Sequence, residues 1–254
     1  MRVALVQHDI AWLDPAANHE RLAPMVEAAA GAGARLVVLS EMFASGFSMD
    51  IEKVAEPVGG PTHQFLLEVA NRNEVWVCGT VATSVAGDPE GTARNRLLLV
   101  GPDGSVTTYD KIHPFTYARE HESYVAGDRH VTVDVEGVRV SLFVCYDLRF
   151  ADEFWALAHD TDLYVISASW PESRRHHWKS LLVARAIENQ AYVAGLNRVG
   201  EGDGLQDAGD SAVIDPLGET LGSAAGGEAL VVVDVDPAVV AATRRRFPFL
   251  ADRR

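Results

Sequence analysis

Val138-Arg139-Val140-Ser141-Leu142-Phe143-Val144-Cys145 follows Gly137 as a short run of β-branched and aromatic residues, the pattern of a strand covered on both faces. Such a strand needs other layers above and below it, so this stretch constrains the chain to an α/β architecture. The run stops at Cys145 and turns polar at Tyr146-Asp147. That is a strand's carboxyl end, where open α/β sheets place their ligands. A thiol there is a nucleophile if a cation or the N–H groups of a helix start stabilise its thiolate; otherwise it is a small core hydrophobe. The stretch alone fits both readings.

The rest of the chain supplies the other layers. Arg2 to Gln7 reads as a strand, and Asp14-Pro15 as an N-cap with proline at the first helical position. An Ala-rich helix should follow to Gly31-Ala32-Gly33, with a kink at Pro24. Leu36 to Ser40 is a second short buried strand, which completes a strand–helix–strand unit. A helix over Pro61 to Asn73 and a strand over Val75 to Val81 come next. Arg94 to Val100 and Ser105 to Asp110 form a hairpin around Gly101-Pro102-Asp103-Gly104.

From Lys111 to Asp128 the chain is polar, aromatic and irregular, the kind of long loop that is usually functional. Strands are expected at Val131 to Val135, Leu163 to Ser167, Ala191 to Asn197, Ser211 to Asp215 and Ala229 to Val235. Helices should span Phe150 to His159 and about Arg174 to Asn189, with Gly200 to Gly209 as a Gly-rich loop. No repeat or linker interrupts the 254 residues, so one domain over 1–254 is expected.

Composition narrows the function. Apolar residues make up 48% of the chain, but no run approaches the ~18–20 needed to span a bilayer, which gives no expectation of a membrane segment. Nothing at the start resembles a signal peptide, so a cytoplasmic location is expected. A net charge of −14 disfavours nucleic acid and anionic membrane as partners. The two cysteines, Cys78 and Cys145, show neither disulfide nor zinc spacing and read as free thiols, Cys78 being inert in a strand. Nine histidines show no metal-ligand spacing, and the adjacent His176 and His177 point to different helix faces; no metal is expected. No Gly-x-Gly-x-x-Gly or Walker loop occurs where a strand meets a helix, which removes nucleotide-binding readings.

Three ionisable residues end three apolar strands: Glu41, Lys111 and Cys145. If those strands share an orientation in the sheet, the three converge on one pocket. There a glutamate can take the thiol proton and return it to a leaving nitrogen, while a lysine and the Tyr146 N–H stabilise the oxyanion. Spacing alone leaves Glu41 as readily a loop carboxylate, and Lys111 a solvated charge. Arg149, four residues past the cysteine, suits a substrate carboxylate because its planar fork pairs bidentately; a salt bridge at a helix start is the other reading. Phe115, Tyr117 and Trp170 are candidates to line the pocket, or ordinary packing aromatics.

Leu39-Ser40-Glu41-Met42-Phe43, Tyr109-Asp110-Lys111-Ile112-His113-Pro114-Phe115 and Val144-Cys145-Tyr146-Asp147-Leu148-Arg149-Phe150 resemble the three signature blocks of the nitrilase superfamily of carbon–nitrogen hydrolases. The resemblance extends to Ala168-Ser169-Trp170-Pro171, His177-Trp178 and Leu181 to Gln190. Asn197-Arg198-Val199-Gly200 and the tail Arg246 to Arg253 look most like the ω-amidase branch. It implies a four-layer α-β-β-α sandwich and cofactor-free hydrolysis of the terminal amide of a small ω-amidodicarboxylate such as 2-oxoglutaramate. By the same resemblance Glu41 is the general base, Lys111 the stabilising cation and Cys145 the nucleophile. A second glutamate is implied in the loop before Gly127, where the spacing of related sequences selects Glu120, with Glu122 as the alternate. A homodimer is implied too, formed by the helices near 150–159 and 174–189, with a tail from about 236 to 254 reaching the partner. The competing readings are an N-carbamoyl amine or other small aliphatic amide hydrolase, and a catalytically silent binding protein on the same fold.

Overall fold

The protein's computed structural model describes residues 1–253. Its first half runs β1 (Arg2–Gln7), α1 (Pro15–Gly31), β2 (Leu36–Val38), the short α2 (Ile51–Val54) and β3 (Glu56–Pro57), α3 (Pro61–Asn73), β4 (Trp76–Ser84), β5 (Arg94–Val100) and β6 (Val106–Asp110). After the one-turn helix α4 (Glu120–Ser123) come β7 (Thr132–Val135), β8 (Val138–Val144), α5 (Ala151–Leu157), β9 (Leu163–Ala168), α6 (Arg175–Asn189) and β10 (Tyr192–Asn197). The chain ends with β11 (Val199–Gly202), β12 (Leu205–Ile214), β13 (Thr220–Ala225), β14 (Ala229–Asp234) and α7 (Pro237–Arg246).

The strands form two seven-stranded sheets, ordered β14-β1-β2-β4-β5-β6 with β3 on β4, and β11-β12-β10-β9-β8-β7 with β13 on β12. Alternation along β1 shows how they stack, because successive side chains point to opposite faces. Val3 and Leu5 pack inward in one cluster with Val140, Leu142 and Val144 of β8. Ala4 and Val6 pack outward with Leu22 and Val26 of α1 and Phe65 and Leu66 of α3. Phe154 of α5 and Trp178, Leu182 and Ala186 of α6 cover the far side of the second sheet. The result is the four-layer α-β-β-α sandwich that the sequence led us to expect.

One local expectation is corrected. The Gly-rich stretch 200–209 is a hairpin rather than a loop: Asp203 and Gly204 have φ of 50° and 72°, the two successive positive values of a two-residue hairpin turn. Pro24 lies inside a helix that continues through it from Pro15 to Gly31. The tail contains α7, capped by the Asp236 side chain, and it lies against its own chain: the Arg244 guanidinium donates to the carbonyls of Thr161 and Asn189.

Candidate active site

Glu41, Lys111 and Cys145 do not end strands of one sheet. β2 and β6 lie in the first sheet, β8 in the second, and the site forms where corresponding ends of the two meet. At the end of β8 the backbone turns sharply through Cys145, which has a φ of 44°. An L-residue held in that region is strained, and the strain needs anchoring. Asp147 supplies the anchor. Its buried carboxylate accepts from Val144 N (3.0 Å), the Tyr109 hydroxyl (2.8 Å) and His113 N (2.9 Å), which ties the cysteine turn to the segment carrying Lys111. Burial pushes the Asp147 carboxyl up to about 6, against the pull of Lys111 and these donors.

The Cys145 side chain is 8% exposed, its Sγ 3.6 Å from the Ser169 carbonyl. Burial, reinforced by Glu41, holds the thiol well above its ordinary range although Lys111 pulls the other way. It is therefore protonated at rest, and a thiol so held can act as a nucleophile only with a base beside it.

Lys111, Glu41 and Glu120 are all buried. The ammonium donates to Glu41 Oε1 at 2.9 Å and to Glu120 Oε2 at 2.8 Å. Burial alone would lower the lysine, but the charges of Glu120 and Glu41 outweigh it and hold the group well above its ordinary range, so it stays charged. Glu41 Oε2 accepts from Ser169 N at 2.9 Å, and Glu120 Oε2 from Phe115 N at 2.5 Å. Glu122, two residues along the same turn, points outward and pairs with Arg119 on the surface. The loop closes at Gly127, where a Cβ would sit 2.1 Å from the Asp110 carbonyl oxygen, so only glycine fits.

Sequence reasoning missed Asn95 on β5, whose amide donates to Glu41 Oε1 at 2.8 Å and Glu120 Oε1 at 3.0 Å. It also missed His8, which is fully buried and 3.0 Å from the hydroxyl of Ser40, the residue before Glu41. The other ring nitrogen lies 3.0 Å from the Asp9 carbonyl, an acceptor only, so Nδ1 carries the proton and Nε2 accepts from Ser40. Burial lowers His8 from 6.5 to about 4. Between those values the unfolded chain binds the extra proton, so this contribution to stability is full above pH 6.5 and falls as the pH drops towards 4. Between pH 7 and about pH 4.5 the parent should lose about 2 kcal/mol more than His8→Gln in urea titrations. Equal losses would refute a neutral buried His8.

A cleft of about 300 Å³ opens on Cys145, lined by Phe47, Phe115, Tyr146, Trp170, Arg149 and Arg174 among others. The Arg149 guanidinium lies 4.7 Å over the Trp170 ring, and that of Arg174 5.3 Å over Phe115. Neither has a carboxylate within ion-pair distance among the described residues. Tyr117, expected to line the pocket, is 85% exposed and outside the cleft: the turn at Thr116–Ala118 points it to solvent while Phe115 faces in. Cys78 is buried in the core, its thiol pushed up to about 12 by burial alone. Among the described residues no three His, Cys, Asp or Glu side chains are grouped to hold a metal ion. No described helix is long and apolar enough to cross a membrane.

The chain is 39% identical over 255 residues to an omega-amidase of Yersinia enterocolitica (YafV), covering 99% of this chain and 96% of that one. It is 32% identical over 257 residues to the 2-oxoglutaramate amidase of Bacillus subtilis, covering 99% and 97%. The crystal structure of a CN-hydrolase superfamily protein from Xanthomonas campestris, with an arsenic adduct in its active site, superposes with a TM-score of 0.94 at 40% identity, covering 100% of this chain and 97% of that one. The family model for carbon–nitrogen hydrolases matches residues 2–245, which takes in both sheets and every residue of the buried cluster. Sequence, layering and site geometry agree, and the chain belongs to the carbon–nitrogen hydrolase family.

Proposed function

We propose that the protein is an ω-amidase-type amidohydrolase that cleaves the terminal amide of a small dicarboxylic acid monoamide, such as 2-oxoglutaramate, to the acid and ammonia. The observation that carries the reading is the pair Arg149 and Arg174, two guanidinium groups without carboxylate partners in the cleft that holds Cys145. Arg149 Nη2 lies 3.2 Å from His177 Nδ1, a neutral acceptor that leaves the guanidinium charge unbalanced, and a planar fork without a carboxylate of its own is suited to a substrate carboxylate. Similarity to the omega-amidase of Yersinia and the 2-oxoglutaramate amidase of Bacillus supports the same substrate class.

In the proposed mechanism, Cys145 Sγ bonds to the amide carbon as Glu41 takes the thiol proton. The electron pair moves to the carbonyl oxygen, where the Lys111 ammonium and the Tyr146 N–H stabilise the oxyanion. Collapse expels the nitrogen, which leaves as ammonia with the proton from Glu41, and a thioester remains on Cys145. Water then attacks the thioester while Glu41 takes its proton, and a second collapse releases the acid and returns the proton to sulfur. Glu120 touches none of the reacting atoms; it holds Lys111 in place.

The test is a steady-state comparison of succinamate and 2-oxoglutaramate with an uncharged amide such as butyramide. Arg149→Gln and Arg174→Gln should each raise KM for the carboxylate-bearing amides by about 10-fold or more, the equivalent of losing a charged hydrogen bond. Butyramide turnover should be unchanged. An equal loss on both substrate types, or preferential release from N-carbamoyl amines, would overturn the substrate assignment.

A further inference from the structure

We propose that Asn95 is the positioning residue that sets the spacing of the two buried carboxylates so that a single ammonium serves both. The proposal rests on Glu41 acting as the base. Glu41, Glu120 and Lys111 bring two negative charges and one positive into a buried site. Two carboxylates sharing such a site repel, and one is ordinarily driven to take up a proton. Lys111 offsets one charge. What remains calls for hydrogen-bond donors that bring no charge of their own.

Asn95 Nδ2 meets that need. Its two hydrogens go to Glu41 Oε1 at 2.8 Å and Glu120 Oε1 at 3.0 Å. Lys111 Nζ lies 2.9 and 3.2 Å from the same two oxygens, which closes a four-membered ring of polar atoms. The ring occupies Glu41 Oε1 and leaves Oε2 on the Ser169 side, the segment whose carbonyl faces the thiol. The amide orientation follows from chemistry, since the carbonyl oxygen turned this way would face two carboxylates. Asn95 is fixed from behind as well: its own backbone carbonyl accepts from Lys111 N at 3.0 Å, so one residue places both the lysine's main chain and its acceptors.

The arrangement carries a cost. Asn95 Oδ1 is buried and has no hydrogen-bond partner among the described residues. An unmet buried acceptor lowers stability, and leucine, of similar size, would remove it. A buried polar group that is left partly unsatisfied calls for an explanation, and the double donation to the carboxylates supplies one. Asn95 does not line the cleft, so it acts through Glu41 and Lys111.

The experiment compares Asn95→Leu and Asn95→Ser with the parent in ammonia release and in alkylation of Cys145 by iodoacetamide, which needs a deprotonated thiol. For Asn95→Leu, kcat should fall about 10²-fold while KM stays within roughly threefold, the pattern of a misplaced catalytic group. Alkylation should slow in parallel. Asn95→Ser, which keeps one donor, should lie between, and it decides the matter if the leucine variant does not fold. A folded variant with parental kcat, or a loss confined to KM with alkylation unchanged, overturns the proposal. Glu41→Gln separates the two levels: if that variant keeps parental alkylation and turnover, the base assignment itself has failed.

Discussion

Cys145→Ala should abolish ammonia release, with kcat falling roughly 10⁴-fold or more, as expected when the nucleophile of a covalent mechanism is removed. The cleft offers no substitute. Cys78 is buried in the core with a thiol pushed up to about 12, so it presents no thiolate at neutral pH. Alanine should fold like the parent, because the turn is held by the Asp147 contacts to Val144, Tyr109 and His113 rather than by sulfur. The φ of 44° strains alanine no more than cysteine. Mass spectrometry of the parent quenched during turnover should find the acyl adduct on the peptide carrying Cys145. Retained turnover in the alanine variant, or an adduct on the Cys78 peptide, would sink the thioester mechanism.

What the sequence made legible follows the ranges over which its signals act. The inner strands declared themselves by continuous apolar runs, and Cys145 by the abrupt end of one of them. The Glu120–Glu122 ambiguity arose because two residues on one helical turn face opposite ways, and nothing local says which way is in. Only packing against Lys111 decides it. The single-sheet picture failed because strand periodicity reports which faces are buried, not which sheet a strand joins. Two missed elements did carry signals. Asp203-Gly204 is the dipeptide of a two-residue hairpin turn, and Asp236-Pro237 repeats the cap-and-proline start seen at Asp14-Pro15. Asn95 also left a trace. On β5 the guanidinium groups of Arg94 and Arg96 reach Asp88 and Asp110 near the surface, so Asn95 is a polar residue at an inward position, where alternation calls for an apolar one.

Lys111→Met should be the most damaging single change to folding and activity together. Removing one member of a buried ion network typically costs about 3–5 kcal/mol, because the remaining charges keep their burial and lose their compensation. Here two fully buried carboxylates would be left with the Asn95 amide as the sole remaining donor they share. Activity should fall at least ~10²–10³-fold through loss of the cation facing the oxyanion. The two effects separate in a double variant. Adding Glu120→Gln to Lys111→Met removes one of the uncompensated charges, so urea titration should show most of the lost stability restored while ammonia release stays depressed. That split follows from the two duties the proposed mechanism gives the ammonium: Glu120 shares in the first, balancing buried charge, but has no part in the second, which belongs to the transition state. If Lys111→Met were as stable as the parent, the carboxylates would not both be charged at rest. If the double variant recovered turnover, the oxyanion would not depend on Lys111, and the Tyr146 N–H would have to stabilise it alone.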